Sequence, residues 1–347
     1  MWTRSVSGGG LIAVDGRDTD RSFKSSTRTR AFRDGHVESQ GFRPEDLAHY
    51  LRDAGTVVWI DLDTTDTEEL DLVARELGIH ELAVEDAREP RQRPKLDLYA
   101  DHQLLSMYAA KLEGANRTLR LSELTVFITR SAMVTVHDET FDMDNVVSRW
   151  DASMNLAEHG VGFLLYGLID HVVDGHFDAV GALDEEIDDL EDLVFGKTSM
   201  EMNVQRRSFA LRRSLIRLRR VVLPMREVVN TMTRRDLLVV DDEMSPYFQD
   251  VYDHVLRATE WTESLRDLVN TVLETNLTIQ GNRLNVITKK VTSWAAIIAV
   301  PTAITGFYGQ NLPYPGFSET SGFVTSSILI VALSACLFML FRRKDWL

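Results

Sequence analysis

Two uncharged stretches near the end of the chain decide its architecture: Val291 to Tyr308 reads VTSWAAIIAVPTAITGFY, and Phe323 to Phe341 reads FVTSSILIVALSACLFMLF. A helix crosses a bilayer with roughly 20 predominantly apolar residues, and both runs fall in that range. The first is diluted by Thr, Gly and Pro, and its composition would also suit a buried helix of a soluble protein. Positive charge flanks the pair on one side. Lys289 and Lys290 precede the first run, Arg342, Arg343 and Lys344 follow the second, and the loop from Gly309 to Gly322 holds neither Lys nor Arg. Cationic side chains stay on the cytoplasmic side, so a multi-pass cell (inner) membrane protein is expected, with both termini in the cytoplasm and the short loop outside.

Upstream of the first run, no proline occurs between Pro246 and Pro301, and Gly281 is the only glycine in that interval. An unbroken helix from there to Tyr308 would be on the order of 90 Å long, so much of it must project into the cytosol as a stalk. A lone stalk cannot bury its own surface and needs neighbours. Along its end, steps of three and four residues select Asn285, Thr288, Thr292, Ala295, Ala299, Thr302 and Gly306, all small or polar. The other side presents Trp294, Ile297, Ile298, Pro301 and Ile304, suited to lipid or to the second span. Small hydrophilic groups at membrane depth suit a water-filled cation path. The same spacing also lets helices pack closely without any pore, and the residues alone leave both open. Two spans cannot enclose a channel, so a pore would need several copies around a rotation axis. Pro301 removes one backbone donor and frees the carbonyl of Ile297, which permits a kink.

The remainder divides by pattern. Residues 42–140 mix candidate strands (Thr56–Asp61, Gln103–Ala109, Leu119–Thr129, Ala132–His137) with an amphipathic helix, Thr67–Leu77, that Gly78 can cap. After residue 141 the chain reads as helix. Phe163 to Val194 carries an acidic face (Asp184, Glu185, Glu186, Asp188, Asp189, Glu191, Asp192). Met200 to Arg235 carries Arg206, Arg207, Arg212, Arg213, Arg217, Arg219 and Arg220. These suggest an antiparallel pair with complementary charges, though two separately solvated faces are an equal alternative. The expected fold is α+β. Its parts are a disordered tail (1–40), a cytosolic α/β domain (41–140), a helical domain and stalk (141–290), a first membrane helix (291–308), an external loop (309–322), a second membrane helix (323–341) and a basic tail (342–347).

Composition narrows the chemistry. A formal net charge of -15 over 347 residues argues against nucleic acid as partner and suits cations. The single cysteine, Cys336, cannot build a disulfide framework or a thiolate metal site. His80, His137 and His254 are dispersed, and no zinc-protease helix, phosphate loop or nucleophile elbow is present, so an enzyme is the poorest fit.

Tyr308-Gly309-Gln310-Asn311 at the end of the first run, followed by a second span and a basic cluster ending in Trp346-Leu347, resembles the signature of the CorA family of divalent metal ion transporters. The resemblance extends over roughly residues 50–347. It includes His80 to Asp86 (HELAVED), Gln92 to Lys95 (QRPK), Leu164 to Asp170 (LLYGLID), Pro224 to Glu227 (PMRE) and Pro246 to His254 (PYFQDVYDH). It implies a funnel-shaped homo-pentamer in the lipid bilayer that conducts Mg²⁺. Asn311 would form an external ring receiving hydrated metal, which suits an ion that sheds water reluctantly. Asn285 matches a pore asparagine, while Thr288 and Val291 stand where the family commonly has bulkier gate residues; Thr288 departs from that pattern. The family's regulatory Mg²⁺ site maps onto Asp86 and Asp250, with Glu85, Asp170 and Asp253 nearby, between protomers. Lys289, Lys290, Arg342, Arg343 and Lys344 would form a basic collar. The family's usual Gly-Met-Asn is here Gly-Gln-Asn. A zinc-specialised relative also varies this position, so transport of Zn²⁺, Co²⁺ or Ni²⁺, with or without proton coupling, is the alternative. A non-transporting membrane sensor built on the same acidic site is a third reading.

Overall fold

The computed structural model describes residues 27–53, 55–89, 92–114, 118–195, 201–234, 239–310 and 313–347. They form two compact units. One comprises the chain through Ala109, Leu121–Val172 and Glu227–Tyr252; the other comprises Ala110–Arg120, Val173–Arg226 and Asp253–Leu347.

The first unit is organised by a seven-stranded sheet of order β2-β1-β3-β7-β6-β5-β4. The strands are β1 (Arg28–Arg33), β2 (His36–Gln40), β3 (Thr56–Asp63), β4 (Lys95–Leu98), β5 (Gln103–Glu113), β6 (Thr118–Ile128) and β7 (Ala132–His137). β3 and β7 pair in parallel at the centre, and β1 flanks β3 antiparallel. Every residue of β7 is buried, as expected for a strand covered on both faces. The period-two alternation sorts the chemistry. Val58, Ile60, Leu62, Val134 and Val136 enter one apolar core with Leu47, Leu70, Val73, Ala83 and Val84. Those partners come from α1 (Leu47–Tyr50), α2 (Thr67–Leu77) and α3 (Glu81–Arg88). Trp59, Asp61, Thr135 and His137 occupy alternate positions of the same strands. There Trp59 meets Trp150 of α4 (Met143–Ala152) edge-on at 4.8 Å.

The strands and the helix expected in residues 42–140 are present, with the left-handed Gly78 closing α2. The tail expected over residues 1–40 is corrected in its last part: residues 28–40 are strands β1 and β2, while residues 1–26 lie outside the described residues. The physical reason is a two-residue hairpin turn. Asp34 and Gly35 both take positive φ (48° and 74°), the geometry that matches strand twist, and β1 then pairs with β3. Its arginines are held at the surface, Arg30 by Asp151 at 2.7 Å and Arg33 by Glu38 at 2.8 Å.

The second unit is helical. α5 (Val161–Phe195), α6 (Glu201–Arg234) and α7 (Ser245–Tyr308) run through it, followed by α8 (Thr320–Arg343). Buried residues recur at alternating steps of three and four: Val180, Leu183, Ile187, Leu190 and Val194 on α5; Val204, Ser208, Leu211, Leu215, Leu218 and Val222 on α6; Val255, Ala258, Thr262, Leu265, Val269, Val272 and Asn276 on α7. This is the seam of helices packed nearly in line. Arg207 near the start of α6 meets Glu186 near the end of α5 at 2.9 Å, so these two run antiparallel. Arg219 likewise meets Glu263 of α7 at 3.2 Å. α7 is one helix of 64 residues, as the absence of breakers implied. Its seam ends at Asn276, and from Gly281 to Thr292 every residue is exposed.

Candidate ion path and metal centre

α7 and α8 each contain a window long and apolar enough to cross a membrane. On α7 the covered positions are Ser293, Ala296, Ile297, Val300, Pro301, Ile304 and Tyr308; on α8 they are Gly322, Ser326, Ser327, Ile330, Ser334, Leu337 and Phe341. Matching stripes of this kind are what two helices laid side by side produce. Ser293, fully buried, satisfies its hydroxyl on the carbonyl of Lys289 at 2.8 Å. The stripe Asn285, Thr288, Thr292, Ala295, Ala299, Thr302 and Gly306 lies on the uncovered side, and every member is exposed. Its small residues are therefore not used to pack α8. Val291 is 63% exposed, beside Leu284 at 64% and Ile287 at 56%. Thr302 donates to the carbonyl of Ile298 at 3.1 Å, and Thr305 donates to that of Pro301 at 2.8 Å, so these hydroxyls keep their acceptor lone pairs for water.

The helix closes at Gly309, whose amide donates to Thr305 at 2.8 Å. A Cβ at Gly309 would stand 3.0 Å from that carbonyl oxygen, a tight contact that the bare residue avoids. Gln310 follows, donating to Phe307 at 3.3 Å. Asn311 lies outside the described residues. Tyr308 stacks edge-on with Tyr314 at 4.8 Å, Tyr314 meets Phe317 at 5.3 Å, and the Tyr314 hydroxyl donates to the carbonyl of Tyr308 at 3.2 Å. Aromatic rings with one polar end suit the headgroup level of a bilayer. At the opposite end Lys289, Lys290, Arg342, Arg343 and Lys344 are all exposed. Trp346 folds back to stack on Phe341 at 5.6 Å.

The acidic residues lie on three helices: Glu85 and Asp86 on α3, Asp170 on α5, and Asp250 and Asp253 on α7, with Asp253 falling in the second unit. Asp86 is half-buried on α3 and accepts from Lys95 of β4 at 2.5 Å, and Lys95 also holds Asp97 at 2.8 Å. Burial opposes the charge on Lys95, yet the two carboxylates hold its pKa above the ordinary lysine value. Glu85 beside Asp86 is exposed. Asp170, on α5, accepts from Arg149 at 2.7 Å. One turn earlier lies Tyr166, edge-on to Tyr247 at 5.3 Å. Burial first, and then the charges of Asp170 and Asp250, push the Tyr166 phenol up to about 12. Asp170 and Asp250 thus act on one phenol, a residue that reading for carboxylates had passed over although it stands inside the Leu164–Asp170 motif. Asp250 and Asp253 are both exposed on α7. As donors, these carboxylates suit a hard, oxygen-preferring cation, although Asp86 and Asp170 each already hold a side-chain cation.

Similarity to known proteins agrees with this layout. Residues 54–343 match the family model for the CorA-like Mg²⁺ transporter protein. The chain is similar to the cobalt/magnesium transport protein CorA of Thermotoga maritima, 29% identical over 89% of this chain and 90% of that one. It is also 30% identical to the putative metal ion transporter YfjQ of Bacillus subtilis, over 83% of this chain and 89% of that one. The solved structure of the CorA magnesium transporter from Methanocaldococcus jannaschii shares the fold, with a TM-score of 0.74 at 22% identity, covering 92% of this chain and 98% of that one. With a family model spanning most of its length, the chain belongs to the CorA-like Mg²⁺ transporter family.

Proposed function

We propose that the chain is a channel-like Mg²⁺ transporter of the cell membrane that works as a homo-pentamer with both termini in the cytoplasm. One observation carries the reading: the small and polar stripe of α7 is left bare by α8, on a helix whose residues from Gly281 to Thr292 are all exposed. Exposed Leu284, Ile287 and Val291 on that stretch require apolar neighbours, and further copies of α7 supply them. Rotation about one axis then turns the stripes toward a shared, hydrated path. Thr288, in place of a bulky apolar side chain, leaves the level of Val291 as the narrower apolar ring. Asn311 meets the hydrated ion outside, and the basic collar marks the cytosolic face.

In the same reading Asp86 and Asp250, with Glu85, Asp170 and Asp253, hold a regulatory Mg²⁺ between protomers. Opposed carboxylates repel one another, and a divalent ion draws them together, so cytosolic Mg²⁺ would favour the closed arrangement. Mg²⁺ uptake by liposomes containing the purified chain, under an inside-negative potential, tests the transport claim; an intact oligomer that admits no Mg²⁺ would refute it. Replacing Asp86 and Asp250 together by Ala should weaken inhibition by internal Mg²⁺.

Gln310 favours a second reading, transport of Zn²⁺, Co²⁺ or Ni²⁺ with or without proton coupling. Uptake measured with these ions in competition and across a pH gradient separates the two. Mg²⁺ entry indifferent to excess Zn²⁺ and to the gradient would rule the second out.

A further inference from the structure

Among the described residues, the arginines of α6 divide their contacts between α5 and other elements. Arg207 reaches Glu186 at 2.9 Å and Asp189 at 3.5 Å. Arg219 turns instead to Glu263, and Arg217 donates to the carbonyl of Leu119 at 3.1 Å. Beside these contacts runs an outward row in which Phe209, Arg212, Arg213, Ile216, Arg217 and Arg220 rim a groove of about 520 Å³. Phe209 is 61% exposed and Ile216 38% exposed, so the row combines cationic and apolar surface. α5 carries a row of the opposite sign: Asp178, Glu185, Asp188 and Asp192 are all exposed, at spacings that keep them on one face. Both rows are exposed although their helices share a buried seam, so each points away from that seam. A body with a basic row on one flank and an acidic row on another makes head-to-tail contacts, and repeated rotation closes these into a ring.

Height along the helices decides between occupants. Arg207 lies level with Glu186 and Asp189, and α5 and α6 run in opposite directions, so Ile216 lies level with Asp178 and Phe209 with Glu185. Rotation about an axis along the stalk keeps equal heights, so a neighbour's acidic row arrives opposite this arginine row. A lipid surface does not. Arg219 is level with Glu263, which places the row about 30–45 Å along α7 from Val291, several Debye lengths from any headgroup.

We propose that the arginine row of α6, with Phe209 and Ile216, docks on the acidic row of α5 from a second copy of this chain. The contact rests on the oligomeric transporter reading above and names the surface that joins neighbours outside the stalk. It makes the charged hairpin an assembly device whose strength falls with salt.

The test uses the full chain in bilayers, on a Cys336→Ala background. Two differently tagged chains are co-expressed, one carrying Asp178→Cys and the other Ile216→Cys, and treated with a thiol cross-linker matched to the ~8–10 Å spacing of packed helices. A covalent heterodimer bearing both tags is expected, about tenfold or more above either variant expressed alone, because assembly holds the two thiols together. In a second arm, Arg213→Glu with Arg220→Glu should loosen the assembly, and adding Asp178→Arg with Asp188→Arg should restore it. An intact oligomer by light scattering without heterodimer and without charge-swap rescue overturns the contact while sparing the transporter. ATP binding that Arg213→Glu abolishes, with no heterodimer, would reassign the groove to a soluble polyanion. A monomeric chain in the bilayer would remove the oligomeric reading and this contact together.

Discussion

The sheet around Trp59 and the stretch of α7 from Gly281 to Tyr308 draw on similar apolar residues and treat them in opposite ways. In the sheet, Trp59, Ile60, Val134 and Val136 are at most 3% exposed, each covered by residues of the same chain. On α7, Val291, Trp294 and Ile298 are 63%, 52% and 63% exposed. The first region completes its own burial. In the proposed assembly the second is finished by lipid and by other copies, and its chemistry becomes legible once the uncovered side is known. Substitutions in the sheet should therefore act on folding, and substitutions in the stripe on flux.

The largest effect belongs to Trp150, which is fully buried, sits edge-on to Trp59 and donates to the carbonyl of Leu164 at 3.1 Å. Trp150→Ala should cost about 3–5 kcal/mol, read from urea unfolding of the detergent-solubilised chain. Asp61→Asn comes next, at about 1–3 kcal/mol, because Asp61 is buried against His137 Nε2 at 3.0 Å and accepts from Thr135 at 2.5 Å. Burial alone would depress the His137 pKa, but the Asp61 carboxylate, with a smaller contribution from Asp63, raises it above the ordinary 6.5. That pair's contribution is complete below about pH 6.5 and is lost as pH rises through the elevated value. The wild-type melting temperature should fall across that window, and Asp61→Asn should flatten the fall.

Thr292→Leu with Thr302→Leu should cut Mg²⁺ flux about tenfold while leaving the melting temperature unchanged, since both positions are exposed in the chain itself. A matching loss of stability would mean that the stripe packs rather than conducts. The smallest effect serves as the control. Arg266→Ala breaks only the exposed contact with Asp267 at 2.9 Å and should shift stability by less than about 0.5 kcal/mol.

Much of this division was readable in the residues. β3, β7, the span of α7 to Tyr308 and the cap at Gly78 follow from branched side chains, missing breakers and a left-handed glycine. β1 was not, because Arg28, Arg30 and Arg33 made it read as solvated tail; their carboxylate partners, among them Asp151 and Glu38, lie up to 121 residues away. The Asp34-Gly35 pair was the local signal that could have exposed the hairpin. The acidic positions were named through family resemblance alone. The electrostatics around them were not legible, since Lys95, Arg149 and Tyr166 come beside them through tertiary packing. The charged helices were legible only as opposites; which arginines face inward depends on a seam that residues as unlike as Ser208 and Leu215 share.

Gly281 stands where α7 has left its partners, and a Cβ there would meet no atom within 4 Å. Alanine would favour the helix by about 1 kcal/mol, so nothing steric in the chain asks for glycine. Further along, Pro301 deletes a rung of the backbone ladder. Between these two soft joints the backbone is an unbroken rod that bears Asn285 through Ala299. Any bend in this part of α7 should fall at these two positions, and the segment between them should then move as one piece.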